Sequence, residues 1–384
     1  MEFKSEARLS FWEAAGILVG HGVGSGVLAV PYLVSRNSWT DFTWIVLLAY
    51  AMNLLLHLMI AELSCNNGGA QFVRCFEIEL FRGKFKKFAT WIAFGLLGLS
   101  VLVNVSGFIT GAAAVFTSWL HLPETVSMIL YYVLAAGVVY AGMKIVGICE
   151  KISVFAMIGV VGILLAATLL SELSPLPRNF LGAGNVIALY SMVSFSLSAV
   201  MSVPQVVKGL NGDRKKIFTS IAAGTGVNVA IIVLIAFMTL LGAGSGISQN
   251  GALVDLSAHL GGWVSVVGYL FSLLALSTSF WANTLNLRDI VAEQMGWDLK
   301  LCWLVTSLPC LLIALLGLQS FVGFARLAGV IQVLTGIGII VAYSRSRART
   351  GLSPLCGRFG TLPFRILVVL SSLTATLGAV IPVQ

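Results

Sequence analysis

Long apolar runs, broken by short polar connections, follow one another along nearly the whole chain. A bilayer core needs about 20 apolar residues per helix. Read with that window, eleven segments qualify: Phe11–Arg36, Phe42–Ser64, Phe88–Trp119, Val126–Ala141, Ile152–Ser171, Phe180–Val207, Ile217–Leu241, Trp263–Ile290, Leu301–Leu318, Phe321–Ser344 and Leu362–Ile381. The pattern predicts an all-α polytopic membrane protein of eleven transmembrane helices. The connections leave no room for a separate soluble domain, so residues 1–384 read as one membrane domain. The longest polar stretch, Asn66 to Lys87, is expected to hold a short interfacial helix.

Charge fixes an orientation. With the N-terminus in the cytoplasm, 23 Lys and Arg residues distribute so that only Arg36 and Arg178 fall outside and Arg326 falls within a span. The rest lie inside, as the positive-inside rule requires. The C-terminus is then outside. A miscounted span before the last would invert every later loop and destroy this asymmetry. The net charge of +8 is thus explained by loop charge, and no nucleic-acid partner is implied.

Composition agrees. The chain is 58% hydrophobic and 10% charged, against about 25% charged in soluble domains. Such a chain cannot cover a water-facing surface, and lipid is its expected solvent. The first apolar run continues as a full span with no small-residue cleavage site, so no cleavable signal is expected. Six cysteines (Cys65, Cys75, Cys149, Cys302, Cys310 and Cys356) form no CxxC pair and no Cys/His cluster, so neither a metal site nor a disulfide framework is read from them. No cofactor is expected beyond a coupling ion, Na+ or H+.

The chain carries an internal repeat. Spans one and six both contain V-x-x-V-P-x-x-V, as Val27, Val30, Pro31, Val34 and Val200, Val203, Pro204, Val207. Small residues precede each copy: Gly20, Gly22, Gly24, Ser25 and Gly26 in the first, Ser194, Ser196 and Ser198 in the sixth. An odd number of spans separates the copies, so they cross in opposite directions. Glycine weakens a helix and proline cannot donate its backbone hydrogen bond. Paired interrupted spans in an inverted repeat point to a transporter binding site, because freed backbone groups at mid-bilayer are tolerable only where they line a cavity. Close helix packing is the alternative origin of such glycines.

The run GHGVGSGVLAVPYLV resembles the first-span signature of the amino acid/auxin permease family and the related hydroxy/aromatic amino acid permeases. SFSLSAVMSVPQVVKGLNGDRKKI resembles their sixth span and the loop after it, LLALSTSFWANTLNLRDIVAE their eighth span, and AELSCNNGG the end of their second. The likeness runs in order from Phe11 to about Asp298. It implies the LeuT-type fold of the amino acid–polyamine–organocation superfamily. That fold has two inverted five-helix repeats, here 11–172 and 180–344, with helices one and six discontinuous, plus an extra helix at 362–381. His21 within the glycine run, and Trp281, Asn283 and Asn286, depart from the pattern and bear on substrate identity.

Candidate substrate contacts are the backbone and small side chains of the two breaks: Gly20, His21, Gly22, Gly24, Ser25, Gly26, Ser194, Ser196 and Ser198. A zwitterion's carboxylate needs donors, and N–H groups beside glycines let it approach. Phe195 resembles the aromatic lid of LeuT-like transporters; a packing phenylalanine is the other reading. Asn104, Ser106 and Phe108 in span three are cavity-lining or interhelical residues. By the same resemblance, Thr278 and Ser279 correspond to a hydroxyl pair of a sodium site, with carbonyls of Ala275, His21 and Gly24. Own-helix hydrogen bonding is their alternative. For proton coupling the candidates are His21, whose imidazole titrates near neutrality, and Glu62 near the inner end of span two. No carboxylate falls in the middle of any predicted span, and His57 reads as a packing residue without an evident partner. Arg326, about two turns into span ten, is either an outer-gate cation or a snorkelling side chain.

No H-E-x-x-H, G-x-S-x-G or paired deep carboxylates suggest an enzyme, and no ring of charges suggests a channel. The reading is a cation-coupled symporter of neutral or aromatic amino acids, working by alternating access in a cytoplasmic (inner) membrane. The alternative is an amino-acid-sensing receptor on the same scaffold. Oligomeric state is not legible.

Overall fold

The structure, a computed structural model, describes residues 8–24, 26–178, 182–244, 247–248, 252–317, 321–350, 354–379 and 381, with the side chains of 321–334 excepted. Described in chain order, its α-helices are α1 (Phe11–Gly22), α2 (Gly26–Ser35), α3 (Trp39–Asn66), α4 (Phe72–Glu79), α5 (Lys86–Leu120), α6 (Glu124–Tyr140), α7 (Met143–Leu169) and α8 (Ala183–Leu197). They continue as α9 (Val203–Gly209), α10 (Arg214–Ala243), α11 (Ala252–Leu260), α12 (Trp263–Met295), α13 (Leu299–Leu315), α14 (Phe321–Arg349) and α15 (Leu362–Gly378).

Among the described residues, six helical segments are long and apolar enough to cross a bilayer, and the bent pair α1 and α2 makes a seventh. Three shorter apolar helices, α6, α13 and α15, have 17 residues each, about 25 Å at 1.5 Å per residue. Helix α4 is the short amphipathic element expected between Asn66 and Lys87. Helix α11 was not foreseen: its nine residues are too few for a spanning window.

Local chemistry sets the ends. Ser10 and Glu13 form a capping box at α1, and Ser38 and Asp41 another at α3. Asp213 accepts the Lys216 N–H at the start of α10. Gly142 at φ +94° turns the chain between α6 and α7, where an L side chain would be strained. Leu9 pins the chain's entry into α1. Its N–H donates to Gly209 O at 2.9 Å, and its side chain lies where a Cβ on Gly209 or Gly147 would collide with it.

One expected boundary moves in a way that matters. The fifth span was expected from Ile152, because Lys144, Glu150 and Lys151 spoil an apolar window to its left. Helix α7 instead starts at Met143. Lys144 is held by Glu13 of α1 at 2.6 Å, and the backbone of Lys151 packs on Gly16. The polar residues therefore lie within the helix, and Glu150 is two turns inside it.

The interior comprises two hydrophobic cores, and the same helices pass from one to the other. Leu18 belongs to the first and Val19 to the second; Val146 to the first and Val154 to the second. The change falls between Leu197 and Ala199, between Ile221 and Ile231, and between Ala275 and Leu276. The residues at this seam are polar or small: Gly20, Gly22, Glu150, Ser198, Asn228, Thr278 and Ser279. Apolar burial thus holds two bodies together while leaving a polar plane between them.

Candidate functional site

Both interrupted helices break at the seam. Helix α1 ends at Gly22, Val23 departs from helical geometry (φ −76°, ψ 79°), and α2 leaves at 56° to α1. Helix α8 ends at Leu197. Ser198 is extended (φ −79°, ψ 111°), Val200–Ser202 forms a 3₁₀ turn, and α9 resumes with Pro204 in its first turn. Proline there costs no intrahelical bond, because first-turn N–H groups have no helix partner.

The two breaks touch. His21 Nδ1 and Ser202 Oγ are 2.8 Å apart. A Cβ added to Gly26 would come within 2.8 Å of Ser196 Oγ and 2.9 Å of Phe195 Cδ1; one on Gly22 would strike Asn228 Nδ2. Glycine is what permits this approach. The breaks leave first-turn N–H groups of α2 and last-turn carbonyls of α1 and α8 at one place. Such groups suit a zwitterion: N–H donors for a carboxylate, carbonyls for an ammonium.

Neighbouring helices brace the sixth-span break. Ala199 N–H donates to His57 Nε2 at 3.0 Å. His57 therefore has a partner, contrary to the sequence expectation, and its neutral ring carries the proton on Nδ1. Asn286 of α12 donates to Met201 O (2.6 Å) and to Gln71 Oε1 (3.2 Å), fixing the 3₁₀ turn. Asn228 of α10 donates to Leu18 O at 3.4 Å, beside the end of α1. None of these was singled out from the sequence as a brace. A lone histidine and two asparagines inside apolar spans were the available signals.

The remaining expected residues divide. Ser194 is buried, its hydroxyl without a hydrogen-bond partner among the described residues, and Ser196 donates to Met192 O of its own helix. Phe195 is 51% exposed next to Gly26, and Ser198 is half-buried at the break. Ser106 donates to Leu102 O and Cys310 O, an interhelical role, while Phe108 is buried in the first core and Asn104 is half-buried. Ser25 lies outside the described residues, and so does the side chain of Arg326. Glu62 is away from the breaks. It accepts the Cys356 N–H at 3.0 Å and pairs with Arg347 at 3.8 Å.

At the expected sodium position Thr278 donates to Ala275 O (3.0 Å), and Ser279 donates to Gly20 O (3.4 Å). A Cβ on Gly24 would stand 3.5 Å from Ser279 Oγ. A further group enters here from α7. A Cβ on Gly20 would collide with Glu150 Oε2 and lie 2.7 Å from Thr278 Cβ. The Glu150 side chain is fully buried, and neither of its oxygens has a hydrogen-bond partner among the described residues. The expectation that no carboxylate lies deep in a span is thus corrected. The spanning window had placed Glu150 in a loop.

A model of the tryptophan/tyrosine permease family matches residues 7–371. The chain is 28% identical to a tryptophan-specific transport protein of Pseudomonas aeruginosa (strain UCBPP-PA14), over 92% of this chain and 90% of that one. It is 27% identical to a protein of the same name from Haemophilus influenzae (strain ATCC 51907 / DSM 11121 / KW20 / Rd), over 49% of each, so that match spans about half of the relative. Among solved structures, MhsT in complex with L-phenylalanine superposes with a TM-score of 0.68 at 13% identity, over 97% of this chain and 99% of that one. Mhp1, a nucleobase-cation-symport-1 family transporter in a closed conformation with bromovinylhydantoin bound, gives 0.64 at 14% identity, over 98% and 92%. These likenesses show the fold, a LeuT-like all-helical bundle.

Proposed function

The chain belongs to the tryptophan/tyrosine permease family, and from that premise we propose that it carries an aromatic amino acid, tryptophan or a close relative, across a membrane by cation-coupled symport. The observation that carries this reading is the meeting of two broken helices at a polar seam, with His21 and Ser202 in contact. The names of the two tryptophan-specific relatives and the L-phenylalanine bound to MhsT support an aromatic substrate. The seam offers backbone donors and acceptors for the zwitterion, and Phe195 beside Gly26 offers an aromatic face to cover it. Among the described residues, Glu150 beside Gly20 is an ionisable side chain next to the breaks, and it has no counterpart of the opposite sign there.

In this proposal the eleven apolar segments all cross the bilayer. Residues 11–172 and 180–344 form two inverted repeats that rock about the seam, and the helix at 362–381 is an addition. The N-terminus faces the cytoplasm and the C-terminus the outside of a cytoplasmic (inner) membrane. The coupling ion is a proton or sodium.

The test is counterflow in liposomes holding the purified full chain. Labelled tryptophan should enter against preloaded unlabelled tryptophan, and tyrosine and phenylalanine should compete where lysine and glutamate do not. Binding without exchange would replace the carrier reading with that of a sensor.

A further inference from the structure

The turn between α4 and α5 concentrates positive charge that the chain itself does not answer. Arg82, Lys84, Lys86 and Lys87 fall within one short stretch, and Gly83, at φ +70°, bends the backbone there. Lys86 lies 3.6 Å from Glu77, which also holds Arg74, and Glu79 is taken by Arg349 at 2.7 Å. The two acids of α4 are thus engaged. Among the described residues no carboxylate pairs with Arg82, Lys84 or Lys87. Elsewhere at the basic end cations meet acids: Lys144 meets Glu13, Lys208 meets Asp289, Lys216 meets Asp213 and Arg347 meets Glu62.

Apolar side chains stand beside these cations. Phe85, Phe88 and Trp91 are each more than half exposed, and Ile92, Leu96 and Leu99 continue the exposed face along α5. Spacings of three and four residues keep them on one side of the helix. Trp91 is one turn beyond Lys87, about 6 Å at 1.5 Å per residue. Tryptophan favours the level where acyl chains give way to headgroups. A surface that is cationic at one end and apolar along its length fits an anionic phospholipid, with phosphate on the cations and acyl chain along α5. The turn is also tied to the seam. Helix α4 packs on α5, α12 and α14. At its start the Gln71 N–H donates to Glu293 Oε2 at 3.0 Å, and Gln71 Oε1 accepts from Asn286, which also holds Met201 O. At its end Arg345 donates to the carbonyls of Glu79 and Leu80, and the basic turn follows.

We propose that Arg82, Lys84 and Lys87 form a binding surface for an anionic phospholipid, and that the lipid, by fixing the far end of α4, steadies Gln71 and Asn286 beside the sixth-span break. The Arg82 guanidinium meets a phosphate through paired N–H donors, and the two lysines meet it as point charges. The acyl chains lie over Phe88, Trp91 and Ile92. Lipid and substrate then favour the same placement of Asn286 and Met201, so each strengthens the binding of the other. The lipid surface stands on charge and exposure alone. Its place in the cytoplasmic leaflet, and its effect on tryptophan, rest on the carrier reading.

The test uses the purified full chain in detergent, with bound phosphatidylglycerol and phosphatidylcholine read by native mass spectrometry. Phosphatidylglycerol should be preferred. The triple variant Arg82→Gln, Lys84→Gln, Lys87→Gln should bind it on the order of a hundred-fold more weakly, at about five-fold for each cation lost. A control removes three exposed cations elsewhere, by Lys215→Gln, Lys300→Gln and Arg358→Gln, and should bind like the native chain. So should Arg82→Lys, Lys84→Arg, Lys87→Arg, which keeps the charge and tells a lost site from a misfolded chain. No preference in the native chain, or an equal loss in the control, overturns the surface. Tryptophan binding is then measured in lipid discs of phosphatidylcholine, with and without phosphatidylglycerol. The anionic lipid should tighten it about five-fold in the native chain. Gln71→Ala should keep the lipid and lose that response. A Kd that ignores the lipid in the native chain, or follows it undiminished in Gln71→Ala, overturns the link to the break. Lipid binding is read without transport, so a chain that binds tryptophan and fails to exchange it removes the carrier reading and leaves this test standing.

Discussion

The imidazole of His57 accepts the Ala199 N–H where α8 has stopped supplying carbonyls. Removing the acceptor leaves a buried donor unsatisfied, a penalty of about 1–3 kcal/mol. His57→Ala should therefore lower the unfolding midpoint in detergent and weaken tryptophan binding together. His57→Gln, whose amide oxygen can reach the position of Nε2, should recover much of both. If the alanine variant binds like the native chain, the brace contributes nothing to the site. Gly20 makes a sharper demand. Gly20→Ala places a methyl group against Glu150 and Thr278, and an overpacked core costs about 1–3 kcal/mol. Transport should fall by about ten-fold or more while the protein stays folded, as read by uptake beside size-exclusion chromatography.

Among elements, the broken helices were legible because glycine, serine and proline announce themselves at fixed spacing, as at Gly20–Gly26 and Ser198–Pro204. What braces them was not. Asn286 reaches Met201 and Gln71 from other parts of the chain, and no local pattern encodes a contact across 85 or 215 residues. Glu150 was hidden for a different reason: an apolar window ends a span at the first charge, whereas α7 absorbs Lys144 and Lys151 through Glu13 and Gly16. Charge in a sequence marks a loop only when no other helix answers it. Asn286→Leu should free the 3₁₀ turn at Val200–Ser202 and raise the Kd for tryptophan, by about five-fold for a lost bond near 1 kcal/mol. Equilibrium binding decides it, and an unchanged Kd would mean that α9 keeps its place without the amide.

For the molecule as a whole, two apolar cores lie on either side of a polar seam, the level at which the proposed rocking would take place. Motion about the seam need not expose either core to water, which keeps its cost low. At the basic end of the bundle the chain is fastened by Leu9. Its amide is bonded to Gly209 O, and its side chain is seated over Gly209 and Gly147. That residue works like a rivet through two oars. On the proposed alternating-access reading, the beginning of the first broken helix and the end of the sixth should therefore move in step. Spin labels at Arg8 and Asn211 should hold one separation with and without tryptophan, whereas Leu9→Ala should let it spread and should slow turnover more than it weakens binding.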